Sequence, residues 1–241
     1  MVEAGADLAA LILDGVARAG DELRDRDVLV VAQKIVSKAE NRYLDLRTTV
    51  PSEQARALAR EVDKDPRLVE VILRESSEVV RYRTGVLVVA HRLGLVLANA
   101  GVDQSNITHE EELDRVLLLP EDPDASAARL REALRARAGA DVGVVINDSL
   151  GRPWRHGTVG VALGAAGIVC LRDLRGIPDL FGRALRVTEV GVADELASAA
   201  SLLMGQAGEG TPVVLARGLD LAGTAIGAST LLRPKSQDLF R

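Results

Sequence analysis

A chain of 241 residues with a formal net charge of −5 and 2% aromatic residues has neither the basic surface nor the stacking rings of a general nucleic-acid binder, so a small-molecule partner is expected. Its longest uncharged apolar run, from Gly157 to Leu171, is rich in glycine and alanine and shorter than the roughly 20 residues a membrane span needs. No basic region followed by an apolar core opens the chain, and the single cysteine, Cys170, lies in an apolar run; both point to the cytoplasm and away from a disulfide framework or a sulfur-bound zinc site. Any metal is then expected on oxygen ligands, as magnesium, manganese or calcium.

Leu8, Leu11, Ile12, Gly15, Val16 and Ala19 recur at helical spacing and predict an amphipathic helix over residues 7–19. The apolar run Val28 to Ala32 predicts a strand that runs out into Gln33, Lys34, Ser37 and Lys38. Lys34 and Lys38, four apart, suit either a solvated pair on a helix face or a phosphate or carboxylate site. Pro51 and Ser52 begin a helix to about Val62, and Asp65 with Pro66 another to about Arg74. Val86 to Ala90 and Leu95 to Ala98 predict a hairpin across HRLG. Its second strand enters NAGVDQSNI, where Asn99, Gly101, Asp103, Ser105 and Asn106 suit either a turn or a site. Asp124 is expected to cap a helix carrying Ala127, Leu130, Leu134 and Ala138.

The stretch from Val142 to Cys170 departs furthest from a plain core. The apolar run Val142 to Ile146 ends in Asn147, Asp148 and Ser149, placing a carboxylate and a hydroxyl where a buried strand is expected to leave its sheet. These residues suit either a turn cap or a hard cation. Gly151 to Gly157 then adds Arg152, Trp154, Arg155 and His156 beside the acid, and such a loop can hold a phosphate. The small-residue tract from Gly157 to Gly167 is read as close packing. Residues 172–188 read as surface loop plus a short strand ending near Thr188, with Arg175, Asp179 and Arg183 ambiguous. A helix from Val192 to Leu203 stops at MGQAGEGTP, whose backbone can touch a nucleotide, and Pro212 to Ala216 is the last strand. Helices, hairpins and isolated strands follow without regular alternation, so the expected class is α+β with mixed and antiparallel sheets, as one large domain over 1–241 or two intimately joined lobes.

The chain contains no P-loop, no dinucleotide fingerprint opening a helix, no nucleophile elbow and no close Cys and His pair. Acids and basic groups at strand ends remain: Asp103 and Asp148 can bring a divalent ion to a phosphate, with Lys34, Lys38, Arg152 and Arg155 offsetting charge.

Four blocks in one order, VVAQKIVSKAENR from residue 30, LANAGVDQSNI from 97, VVINDSLGRPWRHGTVGVALGAAGI from 144 and LLMGQAGEGTPVVLARGL from 202, resemble the coenzyme F420-0:L-glutamate ligase family. The resemblance covers about Asp7 to Leu219. It implies a two-lobed α+β homodimer that uses GTP and magnesium or manganese, with a monovalent cation such as potassium, to join L-glutamate by a γ linkage to coenzyme F420-0. By motif position it implies metal contacts from Asp103, Asp148 and Ser149, and nucleotide contacts from Gln33, Lys38 and Asn106. Asp103, Asp148 and Lys38 are thereby expected to be catalytic. The loop Gly205, Gln206, Ala207, Gly208, Glu209, Gly210 and Thr211 is expected to hold nucleotide and metal, with Gln206 standing where some relatives place an acid and Glu209 as the alternative ligand. The family also carries a Gly-Leu-Pro nucleotide segment ahead of the first helix, where this sequence begins. A ligase acting on another carboxylate and a non-catalytic nucleotide-binding relative are the rival readings.

Overall fold

The structure, a computed structural model, describes residues 2–105, 114–221 and 227–239. In chain order, the first half holds α1 (Leu8–Arg18), β1 (Val28–Ala32), α2 (Gln33–Ala39), β2 (Tyr43–Asp45), α3 (Glu53–Val62), α4 (Pro66–Arg74), β3 (Ser76–Arg83), β4 (Val86–His91) and β5 (Val96–Ala98). The second half holds β6 (Arg115–Leu117), α5 (Pro123–Ala138), β7 (Gly143–Arg152), β8 (Arg155–Ala166), β9 (Leu171–Asp173), β10 (Glu189–Gly191), α6 (Val192–Met204) and β11 (Val213–Ala216). Helices with mixed and antiparallel sheets make this an α+β fold.

β1 is apolar at every position because it is an inner strand covered on both faces. It pairs in parallel with β7 and antiparallel with β11, and β8 extends the sheet antiparallel to β7. Leu29 and Val31 pack with Val144 and Ile146 under α1 and α5. Val28, Val30 and Val145 pack on the other side with Ala193, Leu196, Ala197 and Ala200 of α6. Burial of each such aliphatic side chain contributes roughly 1.5–3 kcal/mol. The small residues of β8 do what the sequence predicts. A Cβ on Gly160 would lie 2.2 Å from the Ala197 carbonyl oxygen of α6, and one on Gly164 would lie 2.3 Å from the Pro123 carbonyl at the start of α5. Their absence lets both helices close on the sheet.

A separate apolar cluster joins α3, α4 and the three-stranded antiparallel sheet β3-β4-β5, built around Val62, Val69, Ile72, Leu87 and Val89. β2 and β6 form a short antiparallel pair beside it, with Leu46, Val71, Val116 and Leu118 beneath. The expected hairpin of β4 and β5 is present. Its partner β3 was not expected, because SSEVVRYR carries charge and is largely exposed or half-exposed.

Three further expectations are corrected. β7 does not end at Ile146: it continues through Asn147, Asp148 and Ser149 to Arg152, because β8 folds back beside it. The α5 cap is Asp122, whose side chain accepts from the Ala125 N–H, since Pro123 already occupies the first turn. Asp124 instead ties separate segments together, its Oδ1 accepting from Ala165 N at 2.8 Å and Ala228 N at 2.7 Å. Residues 171–191 form a two-stranded arm, β9 with β10, rather than a loop with one strand.

Candidate active site

β1 stops at Ala32, opposite Asn147. Beyond that point β7 keeps β8 beside it and loses β1, and α2 starts immediately at Gln33. This step in the sheet is where the polar residues gather. Strand alternation sends Asn147 to the α6 face, where its Nδ2 donates to Ser201 Oγ at 3.0 Å and approaches Met204 Sδ at 3.4 Å. Asp148 therefore faces the other side, toward α2, and alternation returns Ser149 to the face of Asn147. Neighbours in sequence, Asp148 and Ser149 serve opposite faces.

Asp103 reaches the same region from the β5 side. Asn99, Ala100 and Gly101 have φ of 52°, 54° and 65°, three consecutive left-handed residues of which Asn tolerates that region best among non-glycines. The Asn99 side chain accepts from Leu87 N at 3.3 Å, and Ala100 is buried. Two backbone hydrogen bonds of 2.9 Å then join Asp103 to Leu117. Surroundings that over-determine a strained run of this kind fix the side chain that follows it.

Lys34 Nζ lies 2.6 Å from Asp103 Oδ2 and donates to Ser105 Oγ at 2.9 Å and the Ser105 carbonyl at 3.2 Å. Asp103 Oδ1 accepts from Ser105 N at 2.6 Å. Burial works to raise the Asp103 pKa, but Lys34 and Ser105 outweigh it and leave the carboxylate below its ordinary range. Asp148 goes the other way. Burial pushes it up to about 6; the Ser149 N–H opposes that shift, the Asp103 charge adds to it and Lys34 again opposes it. Lys38 is buried, and burial followed by repulsion from Lys34 lowers its pKa against the pull of Asp103. Four side chains from three segments thus share one electrostatic environment: Lys34, Lys38, Asp103 and Asp148.

The other expected residues are arranged differently. Gln33 is buried and donates to Ser37 Oγ at 2.6 Å within α2. Asn106 lies outside the described residues. The loop from Gly205 to Thr211 follows α6 and is mostly exposed, and Glu209 turns back on it, accepting from Ala207 N at 2.8 Å. Its pKa is lowered by backbone N–H groups of that loop, its own first. Gln206 is exposed in the same loop. Arg152 Nη2 reaches the His156 carbonyl at 3.4 Å, near the exposed Trp154 at the β7–β8 tip. Sequence reading did not find Asn147 with Ser201 and Met204, or the direct Lys34 to Asp103 contact; the i, i+4 lysine pair was the available signal for the latter.

The donors fit a hard divalent ion in kind, since Asp103 and Asp148 offer carboxylate oxygens on one side of the sheet step. Among the described residues no three His, Cys, Asp or Glu side chains gather into a cage. Two carboxylates completed by phosphate oxygens and water are the mode magnesium commonly adopts.

Fold and site together define an α+β enzyme with paired acids and lysines at a sheet step. The sequence profile of the family described as F420-0:Gamma-glutamyl ligase matches residues 1–218. The chain is 48% identical to the coenzyme F420:L-glutamate ligase of Methanopyrus kandleri over 100% of its own length and 93% of that protein. It is 45% identical to the enzyme of that name from Methanothermobacter thermautotrophicus, over 100% and 95% of the two chains. Against that of Archaeoglobus fulgidus it is 41% identical, over 100% and 92%. The chain belongs to the F420-0:gamma-glutamyl ligase family and is a ligase. Among the described residues no helix is long and apolar enough to cross a membrane.

Proposed function

We propose that this ligase joins the amine of L-glutamate to a carboxylate of coenzyme F420-0, as an amide, at the expense of GTP. The observation that carries the reading is the convergence of Asp103, Asp148, Lys34 and Lys38 at the end of β1, supported by the names of the relatives above. A carboxylate does not react with an amine at neutral pH until one of its oxygens becomes a leaving group. An acceptor carboxylate oxygen attacks the γ-phosphorus of GTP, GDP leaves, and an acyl phosphate forms. The amine of glutamate then attacks the acyl carbon, the C–O bond breaks and inorganic phosphate departs, while the amine proton passes to phosphate or solvent.

The chain's part is charge placement. Lys38 and Lys34 offset the phosphate charge, Asp103 and Asp148 are the residues that would hold magnesium or manganese, and the Gly205 to Thr211 loop offers backbone to the nucleotide, with Gln206 and Glu209 as its oxygen donors. Ser149, on the α6 face, offers its hydroxyl from the opposite side of β7. A bound divalent ion would neutralise the β and γ phosphates during transfer, and a monovalent cation such as potassium is a further expected component. Purified protein incubated with GTP, manganese, L-glutamate and coenzyme F420-0 is expected to give a product heavier by one glutamyl unit. Asp148→Asn should lower that rate on the order of 10²–10³-fold. Binding of GTP without glutamyl addition would defeat the reading.

A homodimer is part of the proposal. The β9–β10 arm carries Leu180 at 99% and Phe181 at 94% exposure, with Val187 at 84%. Such an exposed apolar tip fits a second copy of the chain. Leu180→Asp with Phe181→Asp should give a monomer by light scattering, and an unchanged mass would remove the arm from the interface.

A further inference from the structure

Lys34 makes contacts that a family-level reading of the site leaves unused. An ammonium has three donors and no acceptor, and the Lys34 ammonium meets three oxygens: Asp103 Oδ2 at 2.6 Å, Ser105 Oγ at 2.9 Å and the Ser105 carbonyl at 3.2 Å. A carboxylate, a hydroxyl and a backbone carbonyl are also the donor types that a hard divalent ion takes. Lys34 and Asp103 are both largely enclosed, at 25% and 28% side-chain exposure, so their attraction is screened less than that of a surface pair. The same ammonium acts on Asp148, which otherwise faces the like charge of Asp103.

We propose that Lys34 is an exchangeable counter-ion. Its ammonium holds the Asp103 oxygens until a divalent ion displaces it, and the displaced side chain, anchored in the first turn of α2, is then free to meet nucleotide phosphate. The inference rests on the metal and nucleotide reading given above and adds an order of events. A divalent ion arriving alone must evict a well-bonded cation with nothing to receive it. An ion arriving with a nucleotide brings the anion that takes Lys34 over. Metal and nucleotide therefore bind with positive coupling, set by a competitor built into the chain.

The test measures manganese binding to the nucleotide-free protein from the electron paramagnetic resonance signal of the free ion, in wild type, Lys34→Met, Lys34→Arg and Asp103→Asn. Circular dichroism establishes that each variant is folded, and Lys34→Gln replaces Lys34→Met if that protein does not fold. Lys34→Met is expected to bind manganese alone about 10-fold tighter, a gain of about 1.4 kcal/mol, with Lys34→Arg close to wild type because it keeps the cation. In the presence of GTP the advantage should vanish or reverse. If Asp103→Asn weakens manganese binding while Lys34→Met leaves it unchanged or weaker, Lys34 is not a competitor and the proposal fails alone. Equal tightening in Lys34→Met and Lys34→Arg overturns it as well. If Asp103→Asn has no effect on manganese, the metal assignment itself fails and takes this inference with it.

Discussion

Asp27 and Asp148 are acids at opposite ends of the paired strands β1 and β7, and the molecule treats them in opposite ways. Asp27, immediately before β1, is buried at 1% exposure. Arg217, just beyond β11, grips it in a fork, Nε to Oδ1 and Nη2 to Oδ2 at 2.8 Å each, and Arg24 N adds a third bond at 2.8 Å. Arg217 lowers the Asp27 pKa against the opposing effect of burial. Asp148 accepts from Ser149 N at 2.8 Å and has no ion-pair partner among the described residues, and its pKa stands at about 6. An acid that holds a sheet together is neutralised by its own chain. One kept short of a counter-ion carries an unmet charge whenever it ionises, and the proposed metal role draws on that charge.

Removing Arg217 should sharpen this contrast most. Arg217→Met leaves Asp27 buried without its partner and is expected to give the largest loss of stability in chemical denaturation at pH 7. Because the folded pKa of Asp27 is depressed, its pairing contributes full stability above the ordinary carboxylate value of about 4 and loses it as pH falls through the folded value. The gap between wild type and variant should therefore narrow below about pH 4, and an equal gap at pH 7 and pH 3 would break the assignment.

Asp148→Asn is expected to act with the opposite sign. A raised folded pKa contributes stability only while the group is protonated; that contribution is present below about pH 4 and lost as pH rises through about 6. The ligand-free variant should be more stable than wild type by about 1–3 kcal/mol at pH 8, with the gain gone near pH 4, while turnover collapses. Loss of stability at pH 8 would place Asp148 among the structural acids instead. The smallest effect concerns the residue before it, Asn147. Ser201→Ala removes one partner of the buried Asn147 amide and should lower stability by about 1 kcal/mol, measurable as a fall in melting temperature without a change in its pH dependence.

Much of the fold was legible where the cause is local. Val28–Ala32 and Pro66–Arg74 fall within a residue or two of expectation, since an unbroken apolar run and an Asp-Pro start are sufficient signals. β3 was not legible because its pairing with β4 comes from position rather than from SSEVVRYR itself. Asp124 looked like a cap because capping chemistry is read from near neighbours, whereas its partners Ala165 and Ala228 are far along the chain. The polar exit after Ile146 coincides with the end of β1, although β7 itself continues to Arg152. Asp103 and Asp148 were paired from their places at strand ends, and the resemblance then implied metal contacts for both. The distribution of faces, with Asp148 toward Lys34 and Ser149 toward α6, follows from a strand that the sequence appeared to stop.

The position of β1 also bears on how the chain is made. Translation delivers Val28–Ala32 early, while its partners β7 and β11 begin only at Gly143 and Val213. At about 5–20 residues per second, a strand apolar on both faces waits on the order of ten seconds or more before its last neighbour emerges. The step that carries Lys34 and Asp148 cannot close before β7 and β8 arrive, so the same strand order that builds the site makes the nascent chain a candidate for chaperone capture and for aggregation at high expression.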